Sequence, residues 1–307
     1  MTSRELLYVK TIADEKSISQ AAKKLFIAQP SLSQSLQRIE ESLGTRLFNR
    51  GIGGLSLTYA GKRYYQTACQ ILKMFDDFET EISDMNDLKT GRIYMGITNH
   101  LGTIILPKIL PRFRRDCPCI EINIFEESTK FQEEKLLSGE LDFAILHAPK
   151  KNPHPMLMYE LLAKDPFIIA ISREHPLIQK AQVKDGYPYP VLDLKLLKNE
   201  PFIMLHHAQR IRHVTDAILA QAKINPPVVL TLKNYETAQS LAGQGLGITF
   251  LPRDYADITS MECPPALLSI DEKYDPGWNL CITTLKNGFL SRADQYFLSL
   301  VREYCSG

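Results

Sequence analysis

Short hydrogen-bonding side chains crowd into residues 28–44, which read AQPSLSQSLQRIEESLG. A glutamine can form paired hydrogen bonds with adenine, an arginine can do so with guanine, and a serine can bond a phosphate or a base edge. We therefore predict DNA contacts from these residues and from one arginine of the next segment: Gln29, Pro30, Ser31, Ser33, Gln34, Gln37, Arg38 and Arg50. A solvated helix face without a partner is the alternative that this pattern alone leaves open.

A second group of polar side chains stands at the ends of strands that we predict in the later part of the chain. The group comprises Thr98, Asn99, His100, Ser128, Thr129, His147, His206 and His207, and Thr249 in the strand LGITFLP is added to it. Ligands of open α/β sheets bind outside the carboxyl ends of the strands. Hydroxyl groups beside helix N-termini suit an oxygen-rich or anionic small molecule, which we call the effector. For each residue, a capping or loop role is the alternative.

The thiol and imidazole groups form no metal or redox motif that we recognise. Only Cys117 and Cys119 are closely spaced among the six cysteines, there is no CxxC pair, and the seven histidines lack HxH or HExxH spacing. We expect reduced, mostly buried thiols and no metal or other cofactor. A redox-sensing regulator that uses its cysteines is a second interpretation. Because the chain also lacks a GxSxG elbow and a phosphate-binding loop, we do not expect an enzyme.

Two short helices, a third helix and a hairpin are needed to position the first group. Thr2 and Glu5 predict a capping box for the first helix, and Ser17 with Gln20 predicts the start of the second. Pro30 suits the first turn of a third helix, which the glycine at position 44 ends. The segment TRLFNRGIGGLSLTYAG predicts two short strands around a glycine-rich tip. This order describes a winged helix-turn-helix.

A long helix follows, with apolar residues at alternating spacings of four and three. Its stripe comprises Tyr64, Ala68, Ile71, Phe75, Phe78, Ile82 and Met85. A strict seven-residue repeat predicts a coiled-coil seam, and therefore dimerisation. Packing of the stripe inside its own chain is the alternative.

The stretch AAKKLFIAQPSLSQSLQRIEESLGTRLFNR, followed by LSLTYAG, resembles the N-terminal signature of LysR-type transcriptional regulators. The matching residues are Ala21, Ala22, Leu25, Gln29, Pro30, Ser31, Ser33, Glu40, Leu43, Gly44, Arg46, Leu47, Phe48, Arg50, Leu57, Thr58, Ala60 and Gly61. The resemblance implies a winged helix-turn-helix, a dimerising linker helix and an effector domain similar to type II periplasmic binding proteins. It also implies homodimers or homotetramers that bend promoter DNA, and inducer contacts at Thr98, at Ser128 or Thr129, and in the 204–206 segment that contains Leu205.

Two departures from the family pattern concern DNA contact. Ala28 stands where a serine is common, so the third helix lacks a side-chain cap at its start. The wing tip, residues 51–54, lacks the usual additional basic residue, so wing contacts rest on Arg50.

From residue 91 onward, strands and helices alternate, which predicts an α/β fold. We predict a winged helix-turn-helix over 1–58, a linker helix over 59–90 and a two-lobed effector domain over 91–307. Lobe I would comprise 91–163 and 267–307, and lobe II 164–266. The GxGxG of residues 243–247 follows a helix and enters a strand, the reverse of a dinucleotide site.

The uneven distribution of charge along the chain agrees with a DNA partner. Residues 1–63 carry a net charge of +5, whereas the whole chain carries +1. The sequence shows no membrane span and no secretory signal, and we expect a cytoplasmic protein. The expected partners are promoter DNA, a small effector and a second copy of the chain, with RNA polymerase a candidate. A solute-binding component with no DNA role is the competing class.

Overall fold

The structure is a computed structural model that describes residues 2–51, 54–84, 91–149, 152–256 and 262–306. The chain divides into two compact units. Unit 1 comprises Met1–Ala144, His154–Met158 and Thr283–Tyr304, and unit 2 comprises Ile145–Pro153, Tyr159–Ile282 and Cys305–Gly307. Unit 1 thus holds the N-terminal module, the long helix and most of the predicted lobe I. The domain and lobe boundaries given above stay predictions.

The first three helices of unit 1 form where local signals predict them. They are α1 (Ser3–Glu15), α2 (Ile18–Lys24) and α3 (Gln29–Leu43). The capping box at Thr2 is present, and the hydroxyl of Ser17 accepts a hydrogen bond from the backbone N–H of Gln20. Helix α3 has Pro30 in its first turn and ends at Gly44, which has a φ of 64°. The caps at Thr2 and Ser17 satisfy N–H groups that a helix leaves unpaired at its start, and the N–H of Gly44 donates to carbonyl oxygens at the end of α3.

The predicted wing and linker helix are also present. They are β1 (Phe48–Gly51), β2 (Gly54–Leu57) and α4 (Tyr59–Asp84). The two strands pair antiparallel, with Phe48 opposite Leu57. Gly61 lies where a Cβ would come within 1.9 Å of the carbonyl oxygen of Leu47, so only glycine allows α4 to start this close to the wing.

The remainder of unit 1 is a parallel strand pair with helices. Its elements are β3 (Gly91–Ile97), α5 (Asn99–Asp116), β4 (Ile120–Glu126), α6 (Thr129–Leu137) and α9 (Arg292–Ser306), together with the start of β5 (Phe143–Ala148). Strands β3 and β4 pair in parallel along seven residues. Phe297 of α9 packs against Phe113 and Phe143, with ring centroids 5.3 and 5.7 Å apart. These three rings are almost fully buried and form the centre of the core.

Unit 2 is built around a long central strand. It contains most of β6 (Leu157–Ile171) and of β12 (Gly277–Leu285), together with β7 (Val191–Leu192), β8 (Phe202–Leu205), α7 (Arg210–Ala222), β9 (Val228–Leu232), α8 (Tyr235–Gly243), β10 (Thr249–Pro252) and β11 (Ala266–Ile270). Strands β10 and β11 pair antiparallel with β6, and β8 pairs in parallel with β9. The apolar run of residues 167–171 forms only the buried end of β6, because the first half of this strand carries exposed and charged side chains.

Across the described part of the chain, no helix combines the length and the apolar character that a membrane crossing needs.

Candidate nucleic-acid interface and effector residues

Helix α3 separates its apolar and polar residues onto two faces. Leu32, Leu36 and Ile39 are buried in the core of the N-terminal module. Six of the predicted DNA-contacting residues are exposed: Gln29, Pro30, Ser31, Gln34, Gln37 and Arg38. Ser33 is half-buried, and the side chain of Arg50 lies outside the described part of the structure. The exposed face therefore presents amides and a guanidinium group that can reach base edges.

The glutamines of this face differ in their bonding. The Gln37 side-chain amide donates to Glu41 Oε1 at 2.8 Å, one turn along the helix. The side chain of Gln34 forms no hydrogen bond with the described residues, so its donor and acceptor are both open to a partner. Ser35, by contrast, turns its hydroxyl back to the carbonyl oxygen of Ser31 at 2.9 Å. Gln34 is therefore the best placed to form paired hydrogen bonds with a base.

The wing is fixed to α3 by a carboxylate of the family signature for which the sequence predicts no role. Glu40 Oε1 accepts hydrogen bonds from the backbone N–H groups of Leu47, at 2.6 Å, and Phe48, at 3.3 Å. On the other strand, the N–H of Leu55 donates to the carbonyl oxygen of Lys16 at 3.0 Å. These contacts hold both wing strands against the helices, so Glu40 positions the wing relative to α3. Its occurrence in the family signature was the only signal in the sequence.

The predicted dimerisation stripe divides into two parts on α4. Ala68 is fully buried in its own chain, and Tyr64 packs against the core of the N-terminal module. Phe75 and Phe78 are 54% and 60% exposed, and Met74 beside them is 70% exposed. Ile71 is half-buried; the side chain of Ile82 and the whole of Met85 lie outside the described residues. The exposed apolar surface is therefore confined to the second half of the described seam, whereas the first half packs inside its own chain.

In unit 1, the predicted effector residues lie at the starts of two helices. Thr98 is the N-cap of α5 and Ser128 the N-cap of α6, and neither side chain caps its helix. The hydroxyl oxygen of Thr98 is buried and has no hydrogen-bond partner within the described structure. Asn99 and Ser128 are exposed, and Thr129 is buried. Burial lowers the pKa of His100 to about 4, so this imidazole is neutral at neutral pH.

In unit 2, His147 is the most constrained of the predicted residues. It is buried and stacks on Trp278, with ring centroids 3.7 Å apart and an interplanar angle of 17°. Arg210 donates a hydrogen bond to the carbonyl oxygen of His147. Leu205 and Thr249 are also buried, and His206 is exposed. His147 therefore has a packing role in unit 2 that the sequence did not predict.

A buried carboxyl group lies beside this stack. Trp278 Nε1 donates to Asp165 Oδ2 at 2.8 Å, and His147 Nε2 lies 3.9 Å from the same oxygen. Burial raises the pKa of Asp165 to about 7, outweighing the hydrogen bond from Trp278. The 3.9 Å separation from His147 is too long for a strong buried ion pair, so we take the neutral acid as the form favoured by this site. Nothing in the local sequence marks Asp165, because its partner lies 113 residues away.

The cysteines and histidines do not come together as ligands. Cys69, Cys117 and Cys281 are buried, and burial raises the pKa of the Cys69 thiol to about 11. Cys119 and Cys263 are exposed, and all six cysteines are free thiols. Over residues 2–51, 54–84, 91–149, 152–256 and 262–306, no three His, Cys, Asp or Glu side chains are grouped so that they could hold a metal ion.

Matches to known transcription regulators extend over nearly the whole chain. The family described as bacterial regulatory helix-turn-helix protein, lysR family, matches residues 3–62, and the family described as LysR substrate binding domain matches residues 86–306. YcgK of Bacillus subtilis, an uncharacterized HTH-type transcriptional regulator, is 28% identical over 99% of this chain and 94% of its own length. A probable RuBisCO transcriptional regulator of Trieres chinensis is 30% identical over 81% of this chain and 80% of its own length.

A solved structure extends the likeness to the fold. Full-length OxyR from Pseudomonas aeruginosa, determined as a cysteine variant, matches with a TM-score of 0.75 and 21% identity. The match covers 99% of this chain and 94% of that one. Together, the matches favour a regulator over a solute-binding component, because they include the DNA-binding module as well as the ligand-binding domain.

Proposed function

The chain belongs to the LysR-type family of DNA-binding transcription regulators, which carry an effector-binding domain, and we propose that its α3 reads a specific promoter sequence. Regulators of this kind bind DNA and small-molecule effectors, form oligomers and are generally not enzymes.

The polar face of α3 is the observation that carries the proposal. Its apolar side is buried in the core, and its exposed side presents the unbonded amide of Gln34 and the guanidinium of Arg38 to a partner. The net charge of +5 over residues 1–63 favours the phosphate backbone of DNA as that partner. The first turn of α3 lacks a side-chain cap, which leaves backbone N–H groups open to a phosphate.

We further propose that α4 pairs with α4 of a second copy through Met74, Phe75 and Phe78. Phe75 and Phe78 belong to the heptad stripe, Met74 flanks it, and large apolar side chains that are more than half exposed at such positions are typical of a coiled-coil seam. Two copies would place two recognition helices on a two-fold symmetric promoter site. Pairing of such dimers into a tetramer, and contact with RNA polymerase, belong to the same proposal.

For the effector, we propose an oxygen-rich or anionic small molecule held at the helix starts that follow β3 and β4. The buried, unpartnered hydroxyl of Thr98 and the exposed hydroxyl of Ser128 support this chemistry. The predicted residues of unit 2 stay in this proposal, with His206 the exposed member of that set. A regulator that acts on chromosomal DNA would work in the cytoplasm, and no resident cofactor is proposed.

A DNA-retardation assay with the region upstream of the protein's own coding sequence tests the function. We expect Gln34→Ala to weaken binding to that DNA by about 5- to 150-fold, the equivalent of roughly 1–3 kcal/mol for a lost base contact. Binding to unrelated DNA should change little. Gln37→Ala is a matched control on the same helix, and it should have a smaller effect because Glu41 already occupies this amide. Equal losses on both DNAs would show that Gln34 does not read bases, and no retardation by the wild type would refute the function on this DNA.

A further inference from the structure

A buried ion pair joins the middle of α4 to the effector lobe. Lys73 Nζ bonds Asp142 Oδ1, and it also pairs with Asp77 Oδ1 of its own helix at 2.8 Å. The side chains of Lys73 and Asp142 are 19% and 5% exposed. A buried lysine is held in its charged form by such partners, and these carboxylates raise the pKa of Lys73 despite its burial.

On the lobe side, Asp142 is tied to two strands. Its second oxygen, Oδ2, accepts a hydrogen bond from the backbone N–H of Tyr94 in β3 at 2.7 Å. Asp142 also directly precedes β5 in the chain. Strand β3 leads to Thr98 and β5 contains His147, both of which are predicted effector residues. A shift of either strand would therefore displace Asp142.

On the helix side, the turn before Asp142 lies directly against α4. Gly139 has a φ of +74°, and a Cβ on it would lie 3.0 Å from Lys73 Cβ and 3.1 Å from Lys73 Cγ. The side-chain amide of Gln70 donates to the carbonyl oxygen of Leu137 at 3.5 Å. This close approach leaves little freedom for the turn to slide along the helix.

The same helix is also fixed to the DNA-binding module. Tyr65 Oη donates to Asp14 Oδ1 of α1 at 2.6 Å, and Ala68 is fully buried between these contacts and Lys73. Successive turns of α4 thus contact the winged module first and the effector lobe next. The two contacts are only eight residues apart on one continuous helix, a distance of about 12 Å.

We propose that the Lys73–Asp142 pair couples ligand binding in the effector lobe to DNA binding by the winged module. The inference rests on the proposed function, since it requires a ligand at each end. Coupling between two sites is reciprocal, so DNA bound by the winged module must alter the lobe if an effector in the lobe is to alter DNA binding. The coupling can therefore be measured with DNA alone.

A second buried carboxyl group adds to the acidic surroundings of Lys73. Asp294 of α9 is buried, with its Oδ2 accepting from Ser291, and burial together with the nearby Asp142 charge raises its pKa to about 7. Lys73 is the cation that offsets this acidic surrounding. Removing Lys73 alone would leave Asp142 buried without its cation, so the informative variant removes both charges.

The test is hydrogen exchange of β3 and β5 amides with and without a saturating duplex from the upstream region. In the wild type, we expect DNA to change these exchange rates by about fivefold or more. The double variant Lys73→Met/Asp142→Asn should bind the duplex within about threefold of the wild type, because neither residue is on the proposed DNA-binding face, yet show no DNA-dependent change in the lobe. Asp77→Asn is the matched control: it removes the other partner of Lys73 and should behave as the wild type.

Every outcome of this experiment either supports or overturns the coupling role of the Lys73–Asp142 pair. A DNA-dependent change that persists in the double variant, or is lacking in the wild type, overturns the coupling role while leaving DNA binding intact. Loss of the change in Asp77→Asn as well would assign it to the helix rather than to the lobe contact, which also overturns the proposal. If the double variant does not fold, Gly139→Ala, which keeps both charges and displaces the turn from Lys73, replaces it with the same expected result. Failure of the wild type to bind the duplex would instead contradict the proposed function.

Discussion

Replacing Asp165 with asparagine should make unit 2 more stable at neutral and alkaline pH. Asparagine keeps the shape of the side chain and an oxygen that can accept the hydrogen bond from Trp278 Nε1, which is 2.8 Å long in the wild type. It removes only the need to bury a charge once the carboxyl group ionises. The change therefore isolates the electrostatic cost at this position from its packing.

The magnitude and sign follow from the pKa of Asp165, which burial raises from 3.8 to about 7. The folded protein binds the proton more tightly than the unfolded chain, so the stabilisation is complete below pH 4 and is lost as the pH rises to 7. A difference of roughly three pKa units, at 1.36 kcal/mol each, gives an upper limit of about 4 kcal/mol. We expect the free energy of unfolding of the variant to exceed that of the wild type by roughly 1–4 kcal/mol at pH 8 and to equal it near pH 4.

The assay is urea unfolding followed by tryptophan fluorescence at pH 4.5 and pH 8. Trp278 is the single tryptophan of the chain and touches Asp165, so the signal reports on this site. Asp185→Asn, at an exposed position of the same unit, is the control and should leave the free energy of unfolding unchanged at both values. A variant that is less stable than the wild type at pH 8 would refute the reasoning, because it would mean that Asp165 is charged and paired with His147.

Three further predictions concern the N-terminal module, the linker helix and the effector site. Glu40→Ala should lower the free energy of unfolding of the winged module by about 1–3 kcal/mol through loss of two charge-assisted hydrogen bonds, measured by hydrogen exchange of β1, whereas Glu41→Ala should leave β1 unaffected. Phe75→Lys should convert dimers to monomers, and an unchanged mass by light scattering would contradict the proposed seam. For a ligand identified by a thermal-shift screen, Ser128→Ala with Thr129→Ala should abolish the shift, and a normal shift would place the ligand elsewhere.

The N-terminal elements could be predicted from the sequence because their signals are local. The caps at Thr2 and Ser17, the proline near the start of α3 and the glycine after it each act within one helical turn. The exposed face of α3 was predictable for the same reason, since helical periodicity alone separates Gln34 from the buried leucines. The short strand β7 was not predicted, because two residues are too few to produce a periodic pattern.

The rest of the site depends on contacts between distant residues, which no local pattern encodes. Lys73 and Asp142 are 69 residues apart, and Asp165 and Trp278 are 113 apart. Periodicity also could not decide which partner covers an apolar stripe. The heptad of α4 predicts one continuous seam, but Ala68 belongs to the core of its own chain while Phe75 is exposed.

The arrangement of α4 limits how this regulator can be recombined with others. A chimera joined at residue 58 would place a foreign winged module on a helix whose Tyr65 bonds Asp14 of this chain's α1 and whose Ala68 is fully buried. A junction after residue 84 would instead carry a foreign helix past Gly139 without a lysine for Asp142. A working hybrid therefore has to exchange the first half of α4 with the winged module and keep the second half with the lobe, so the natural splice point lies inside the helix, between positions 68 and 73.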